Sequence, residues 1–144
     1  MEGRYRVLLT LLLVVCSTVA AAADITARHA WIRLLPGHLP AAGYLELSNH
    51  GTETVRLTGV QSTDFGAIEV HESSERSGVA RMRRVDSLEI PAGKTVAFKP
   101  LGYHLMLFKS VDGLKPGGQV TLTLQFSDAS RLPVDFQLRD AAGQ

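Results

Sequence analysis

The chain has 144 residues, of which 45% are hydrophobic, 20% charged and 6% aromatic, with one cysteine and a formal net charge of +1. That length suits one domain, and the near-zero charge excludes a strongly basic nucleic-acid binder. A single cysteine excludes an internal disulfide and a cysteine-based zinc site.

The first segment carries Arg4 and Arg6, then an apolar run from Val7 to Val15, then Cys16 followed by small residues up to Ala23. A basic start, a short apolar stretch and a small-residue end predict a secretory signal peptide over 1–23. The apolar run is short for a ~30 Å hydrocarbon layer, which argues against a retained span. Cleavage is expected after Ala23, or after Ala22. Lipid attachment at Cys16 is disfavoured, because Leu13, Val14 and Val15 supply no small residue before it. Cleavage after Ala23 removes Arg4, Arg6 and Glu2, so 13 of the 15 basic and 13 of the 14 acidic residues remain and the formal charge is zero. It also removes the only thiol, closing off cysteine proteolysis, disulfide exchange and blue-copper sites, which need a thiolate. The remainder, 24–144, is predicted to be a single exported domain held by its core alone.

Past Asp24 the chain offers no convincing helix. Short runs rich in Val, Ile, Leu, Thr and aromatic residues alternate with Gly, Pro, Asn and Asp, which predicts strands. In chain order they are 26–33, 43–48, 53–60, 67–72, 79–85, 94–99, 103–108, 119–126 and 132–138. The run QVTLTLQF alternates cleanly, with Val120, Leu122, Leu124 and Phe126 on one side. Turn signals lie at Asn49-His50-Gly51, Ser77-Gly78, Pro91-Ala92-Gly93 and Lys115-Pro116-Gly117-Gly118. About eight to nine short antiparallel strands in a sandwich or barrel are the expectation.

Two histidines and two methionines stand out. His104 and Met106 lie two apart on a predicted strand, so their side chains share a face. Counting outward from a turn centred on 75–78 sets Ser74 opposite Val79 and His71 opposite Met82, and directly opposed residues have Cβ atoms ~5 Å apart. Two imidazoles and two thioethers form a soft, neutral donor set that favours Cu(I) over zinc, calcium or magnesium. Thioethers also survive an oxidising compartment that would convert a cysteine pair to a disulfide. His29, His38 and His50 read as strand, loop and turn residues outside this set. Arg81 and Arg83 share one face of their strand while Met82 and Arg84 share the other, giving either a solvated face or a contact patch for an acidic partner. Asp128 and Ser130 have no suitably placed histidine, and no phosphate-cradling glycine loop precedes a helix.

The spacing His71-x10-Met82-x21-His104-x-Met106 resembles the signature of the periplasmic copper(I) chaperones called PCu(A)C. The likeness extends through Trp31 and Arg33, Ala41-Ala42-Gly43-Tyr44, Asn49 and Gly51, Glu69-Val70-His71-Glu72, Ile90-Pro91-Ala92-Gly93, Gly102-Tyr103-His104-Leu105-Met106-Leu107 and Leu122-Thr123-Leu124. The resemblance implies a cupredoxin-like Greek-key β-sandwich or barrel and one Cu(I) held by His71, Met82, His104 and Met106. It also implies delivery of copper to the CuA site of cytochrome c oxidase, with or without a Sco-type partner. Two features depart from the family pattern. Glu72 stands where many relatives carry a methionine, and the ending RLPVDFQLRDAAGQ has no His or Met for a second copper site.

A non-enzymatic periplasmic copper carrier, acting as a monomer without nucleic acid, is therefore the leading expectation. A copper-dependent oxidoreductase would need an open coordination position and stabilisation of both copper oxidation states. A plain secreted β-sandwich interaction module would make the four residues incidental.

Overall fold

The computed structural model describes residues 24–37 and 39–144, and every described element is a strand. In chain order they are β1 (Ile25–Arg33), β2 (Ala41–Asn49), β3 (Val55–Gln61), β4 (Phe65–Arg76), β5 (Val79–Arg84), β6 (Leu88–Ile90), β7 (Thr95–Phe98), β8 (Tyr103–Ser110), β9 (Gln119–Phe126) and β10 (Arg131–Arg139). Residues 1–23, expected from the sequence to be a signal peptide, and His38 lie outside the described residues. Among the described residues no helix is long and apolar enough to cross a membrane.

The ten strands form one hydrogen-bonded sheet in the order β5-β4-β8-β7-β2-β1-β10-β9-β3-β6, with β8 also pairing with β2. The all-β expectation holds, with one strand more than foreseen and with two parallel contacts. β1 runs parallel to β10 through Trp31–Arg33, and β7 meets β8 in parallel at Phe98 and Tyr103. The extra strand, β6, has three residues, too few to display a period-two pattern. It pairs with β3 at Leu57↔Leu88 and Val55↔Ile90.

Strand alternation builds the core. On β9, Val120, Leu122, Leu124 and Phe126 are buried while Gln119 and Thr121 face water, and on β10 Val134, Phe136 and Leu138 point inward. Ile32, Leu45, Leu47, Leu57, Ile90, Leu105 and Leu107 complete the centre, each almost wholly removed from solvent. The contact between β2 and β8 depends on a glycine. A Cβ at Gly43 would lie 3.1 Å from the Cβ of Leu105 and 3.3 Å from Leu107 Cδ1. Because Leu105 is itself fully buried and cannot give way, a larger side chain at Gly43 would push β8 away.

The turns follow their residues. Ser77 (φ 53°) and Gly78 (φ 75°) form the two-residue loop joining β4 and β5, the pair of positive φ angles that a right-handed hairpin twist demands. β1 is interrupted by a bulge between Arg28 and Trp31, with His29 at φ 53°. Such a bulge re-aims the residues that follow it, here Trp31 and Arg33.

Asn49 closes β2 and is the least exposed polar side chain of the described residues, at 1%. Its amide nitrogen donates to the carbonyls of Glu53 (2.8 Å) and Ile90 (2.9 Å), and its Oδ1 accepts from Gly51 N–H (2.9 Å). One side chain thus joins the end of β2 to the β2–β3 loop and to β6. Truncation leaves these buried backbone groups without partners, each worth roughly 1–3 kcal/mol. Asn49→Ala is expected to lower unfolding free energy by about 2–3 kcal/mol, measured by urea denaturation, and Asn49→Asp should cost at least as much, because a carboxylate cannot donate to the Glu53 and Ile90 carbonyls.

Candidate metal centre

β4 and β8 run antiparallel with Val70↔Leu105 and Ile68↔Leu107 in register, and Val70, Leu105 and Leu107 point into the core. The intervening residues therefore share the opposite face. His71 stands directly opposite His104, with ring centroids 5.9 Å apart and planes tilted by 52°, and Glu69 stands opposite Met106. The i, i+2 expectation for His104 and Met106 holds.

The β4–β5 hairpin adds the fourth residue with a corrected register. Val79 pairs with Arg76 rather than Ser74, so Met82 faces Ser73 and His71 faces Arg84. The loop has two residues where four were expected, and the pairing slides by two. A slide of one would have moved Met82 to the other face; a slide of two keeps the face. Met82 is thus a diagonal neighbour of His71.

A cavity of about 320 Å³ opens on this face, lined by Met82, His104, Met106, Arg33, Tyr44 and Leu101 among others. His71 is not part of its lining and reaches the group through its ring contact with His104. Burial differs sharply: His104 is 7% exposed, Met106 half-buried, and Met82 55% exposed. Arg33 reaches the cavity from β1, donating to the Tyr44 hydroxyl at 3.0 Å, and Tyr44 packs on Trp31 at 4.7 Å between centroids.

Hydrogen bonds set the imidazoles. His104 Nδ1 donates to the Gly102 carbonyl (3.2 Å), which leaves Nε2 with the lone pair. His71 Nε2 contacts Glu69 Oε2 at 2.8 Å, and its Nδ1 is buried with no hydrogen-bond partner. Burial, aided by the nearby His71 and Arg33 charges, pulls the His104 pKa below the ordinary imidazole value, against the opposing pull of the Gly102 hydrogen bond. Among the described residues no three His, Cys, Asp or Glu side chains form a metal-holding group. The thioethers of Met82 and Met106 line the same cavity as His104. Two imidazoles with two thioethers suit a soft monovalent ion such as Cu(I).

Residues 25–138 match the model of a family described as putative lipoprotein LpqE-like. The chain belongs to the LpqE-like family. This LpqE-like protein is 31% identical over 115 residues to the putative lipoprotein Lxx21020 of Leifsonia xyli subsp. xyli (strain CTCB07), a match covering 79% of this chain and 69% of that protein. It is 29% identical over 99 residues to the uncharacterized protein RP573 of Rickettsia prowazekii (strain Madrid E), covering 68% of this chain and 55% of that protein. Among solved structures it is similar to the copper-bound PCuAC domain from PmoF2, with a TM-score of 0.68 and 26% identity over 83% of this chain and 96% of that one. It is also similar to CuI-DR1885 from Deinococcus radiodurans in solution, with a TM-score of 0.64 and 25% identity over 82% and 78% of the two chains. The cupredoxin-like fold class and the PCuAC likeness expected from the sequence both hold.

The remaining sequence candidates are accounted for locally. His29 Nδ1 lies 3.2 Å from Glu46 Oε2, and His50 Nε2 2.9 Å from Thr26 Oγ1. Arg84 does share the face of Met82, but its charge is engaged: NH1 lies 2.9 Å from Glu69 Oε1, and Nε 3.0 Å from Asp86 Oδ1. Arg83 pairs with Glu72 on the other face. Glu69 was missed as a member of the site, although the i, i+2 argument used for His104 and Met106 places it beside His71.

The sign of the His104 shift gives a prediction for the LpqE-like protein without metal. A lowered folded-state pKa means that the unfolded chain binds the proton more tightly, so stability is greatest above the unfolded-state value of about 6.5. It falls as pH drops from there toward the lowered folded-state value. Urea midpoints are expected to decrease between pH 7.5 and 5.5 and to decrease less in His104→Gln; equal slopes would assign the loss to other groups.

Proposed function

We propose that this protein is a non-enzymatic carrier of one Cu(I) ion, bound by His71, Met82, His104 and Met106 and handed on to an acceptor protein. The observation that carries this reading is the sharing of one sheet face by all four donors, with three of them lining a single cavity and Met82 open to solvent. The residues fit the cargo: the set is soft and uncharged, and His71 Nδ1 is a buried nitrogen without a partner. The copper-bound PCuAC domain from PmoF2 and the CuI form of DR1885 lend support by likeness. A site lacking thiolates releases Cu(I) more readily to a stronger acceptor, as carriage requires. The acceptors favoured by the PCu(A)C resemblance are the CuA subunit of cytochrome c oxidase and a Sco-type protein, met in the periplasm.

Anaerobic Cu(I) titration with a competing chelator tests the reading. One-to-one binding is expected, with Met82→Leu and Met106→Leu each weakening it by about tenfold or more, or about 1.4 kcal/mol, while circular dichroism stays unchanged. Unaltered affinity in both variants would sink the four-ligand assignment. A copper-dependent oxidoreductase would consume oxygen when loaded, and none is expected. Mixing loaded protein with an isolated CuA domain or a Sco-type protein then identifies which one strips the copper.

Export is the second component of the reading, supported by the basic and apolar segment 1–23 and by relatives described as putative lipoproteins. Mass spectrometry of the protein expressed in a Gram-negative host is expected to show a chain beginning at Asp24 or Ala23. A lipid-modified Cys16 as the first residue would replace the free periplasmic form with an anchored one.

A further inference from the structure

Glu69 lies two residues before His71 on β4, on the same face, directly opposite Met106 on β8. Both of its carboxylate oxygens are engaged. Oε2 accepts from His71 Nε2 at 2.8 Å, and Oε1 accepts from Arg84 NH1 at 2.9 Å, while Arg84 Nε is itself held by Asp86 at 3.0 Å. An ionised carboxylate can only accept, so the imidazole nitrogen facing it carries the hydrogen. In the neutral ring the other nitrogen, Nδ1, then keeps the lone pair. That atom is buried and no protein group satisfies it. Leaving a buried polar atom unpaired is unfavourable, and a bound metal ion would relieve it. His104 is fixed in the opposite sense, because its Nδ1 is the donor, to Gly102.

We propose that Glu69 is a positioning residue that holds the His71 ring with Nε2–H toward the carboxylate and so presents Nδ1, rather than Nε2, as the copper donor. Arg84, with Asp86 behind it, keeps the carboxylate in place, which gives this arginine a role inside the site rather than toward a partner. The two imidazoles then offer unlike nitrogens to one ion, Nδ1 from His71 and Nε2 from His104. The inference rests on the copper reading above and adds to it which atom binds and what orients it. Partners of this kind behind metal-bound histidines are worth about 10–100-fold in metal affinity.

The test uses long-range 15N–1H NMR of His71 with and without Cu(I), alongside anaerobic titration of the unaltered chain and of Glu69→Gln, Glu69→Leu and Glu72→Gln. In the metal-free protein at neutral pH, His71 is expected to show a protonated Nε2 whose hydrogen exchanges slowly with water. Copper should then perturb the Nδ1 resonance. Glu69→Leu is expected to lose the slow Nε2–H signal and about 10–100-fold in Cu(I) affinity. Glu69→Gln, whose amide oxygen can still accept, should retain Nδ1 ligation with a smaller loss, and it serves if the leucine variant does not fold. Glu72→Gln, on the opposite face, should match the unaltered protein. Copper on Nε2 of His71, or a Glu69→Leu variant with unaltered affinity and Nδ1 ligation, would overturn the proposal. Absence of Cu(I) binding by the unaltered chain would instead overturn the carrier reading; the Nε2–H signal of the metal-free protein would still decide whether Glu69 orients the ring.

Discussion

The pairing of β4 with β8 is the constraint on which the site depends, because the pleat of a sheet leaves each residue only two directions. Val70, Leu105 and Leu107 must face the core, where they are almost completely dehydrated, and this fixes the register against any slip of one residue. His71, His104, Glu69 and Met106 are then committed to the other side. Hydrophobic burial, a non-directional force, sets the positions of four polar or soft side chains that contribute little to it themselves. The same core residues explain why β8 pairs with β2 as well as β4. Gly43 permits the close approach, and Leu105 lies at the junction.

Around this frame the polar groups are placed with attention to their partners. Asn49 satisfies three backbone groups at the far end of β2, and it does so where three elements meet. Near the site, by contrast, two nitrogens remain unsatisfied: His71 Nδ1 and Arg33 Nε are buried without hydrogen bonds. Proteins rarely leave such atoms unpaired. Arg33 lines the cavity with Met82 and Met106, and the His71 ring packs against His104 at its edge.

Much of this was legible in the chain itself, to different depths. The alternation in β9 gave its buried face residue by residue, and the i, i+2 spacing of His104 and Met106 gave their common face, because both follow from local geometry. The β4–β5 hairpin was legible in its faces but not in its pairing. Ser77-Gly78 is a two-residue loop with positive φ at both positions, and reading it as a four-residue turn displaced the partners by two. β6 escaped notice because three residues carry no periodicity, and the parallel contact of β1 with β10 joins the two ends of the domain, where no local signal reaches. The role of Glu69 was readable by the same spacing rule but needed the observed Arg84 and His71 contacts to distinguish it from any exposed carboxylate.

The β4–β5 hairpin carries a consequence for motion. Every residue of β5 is exposed, β5 hydrogen-bonds to β4 alone, and it forms one margin of the sheet. Local opening is least costly in such a ribbon, with few buried apolar contacts and many solvent-facing backbone hydrogen bonds. β5 can therefore detach from β4 and return without disturbing the Leu105–Leu107 core. Such an opening would leave His71, His104 and Met106 on β4 and β8 and carry Met82 and Arg84 away with β5. Under the carrier reading, the four donors would not leave a departing ion together: the thioether on the loose strand would let go first, and the buried imidazole of His104 would be among the last. The stiffness gradient built into the sheet would thus set a sequence of events for exchange.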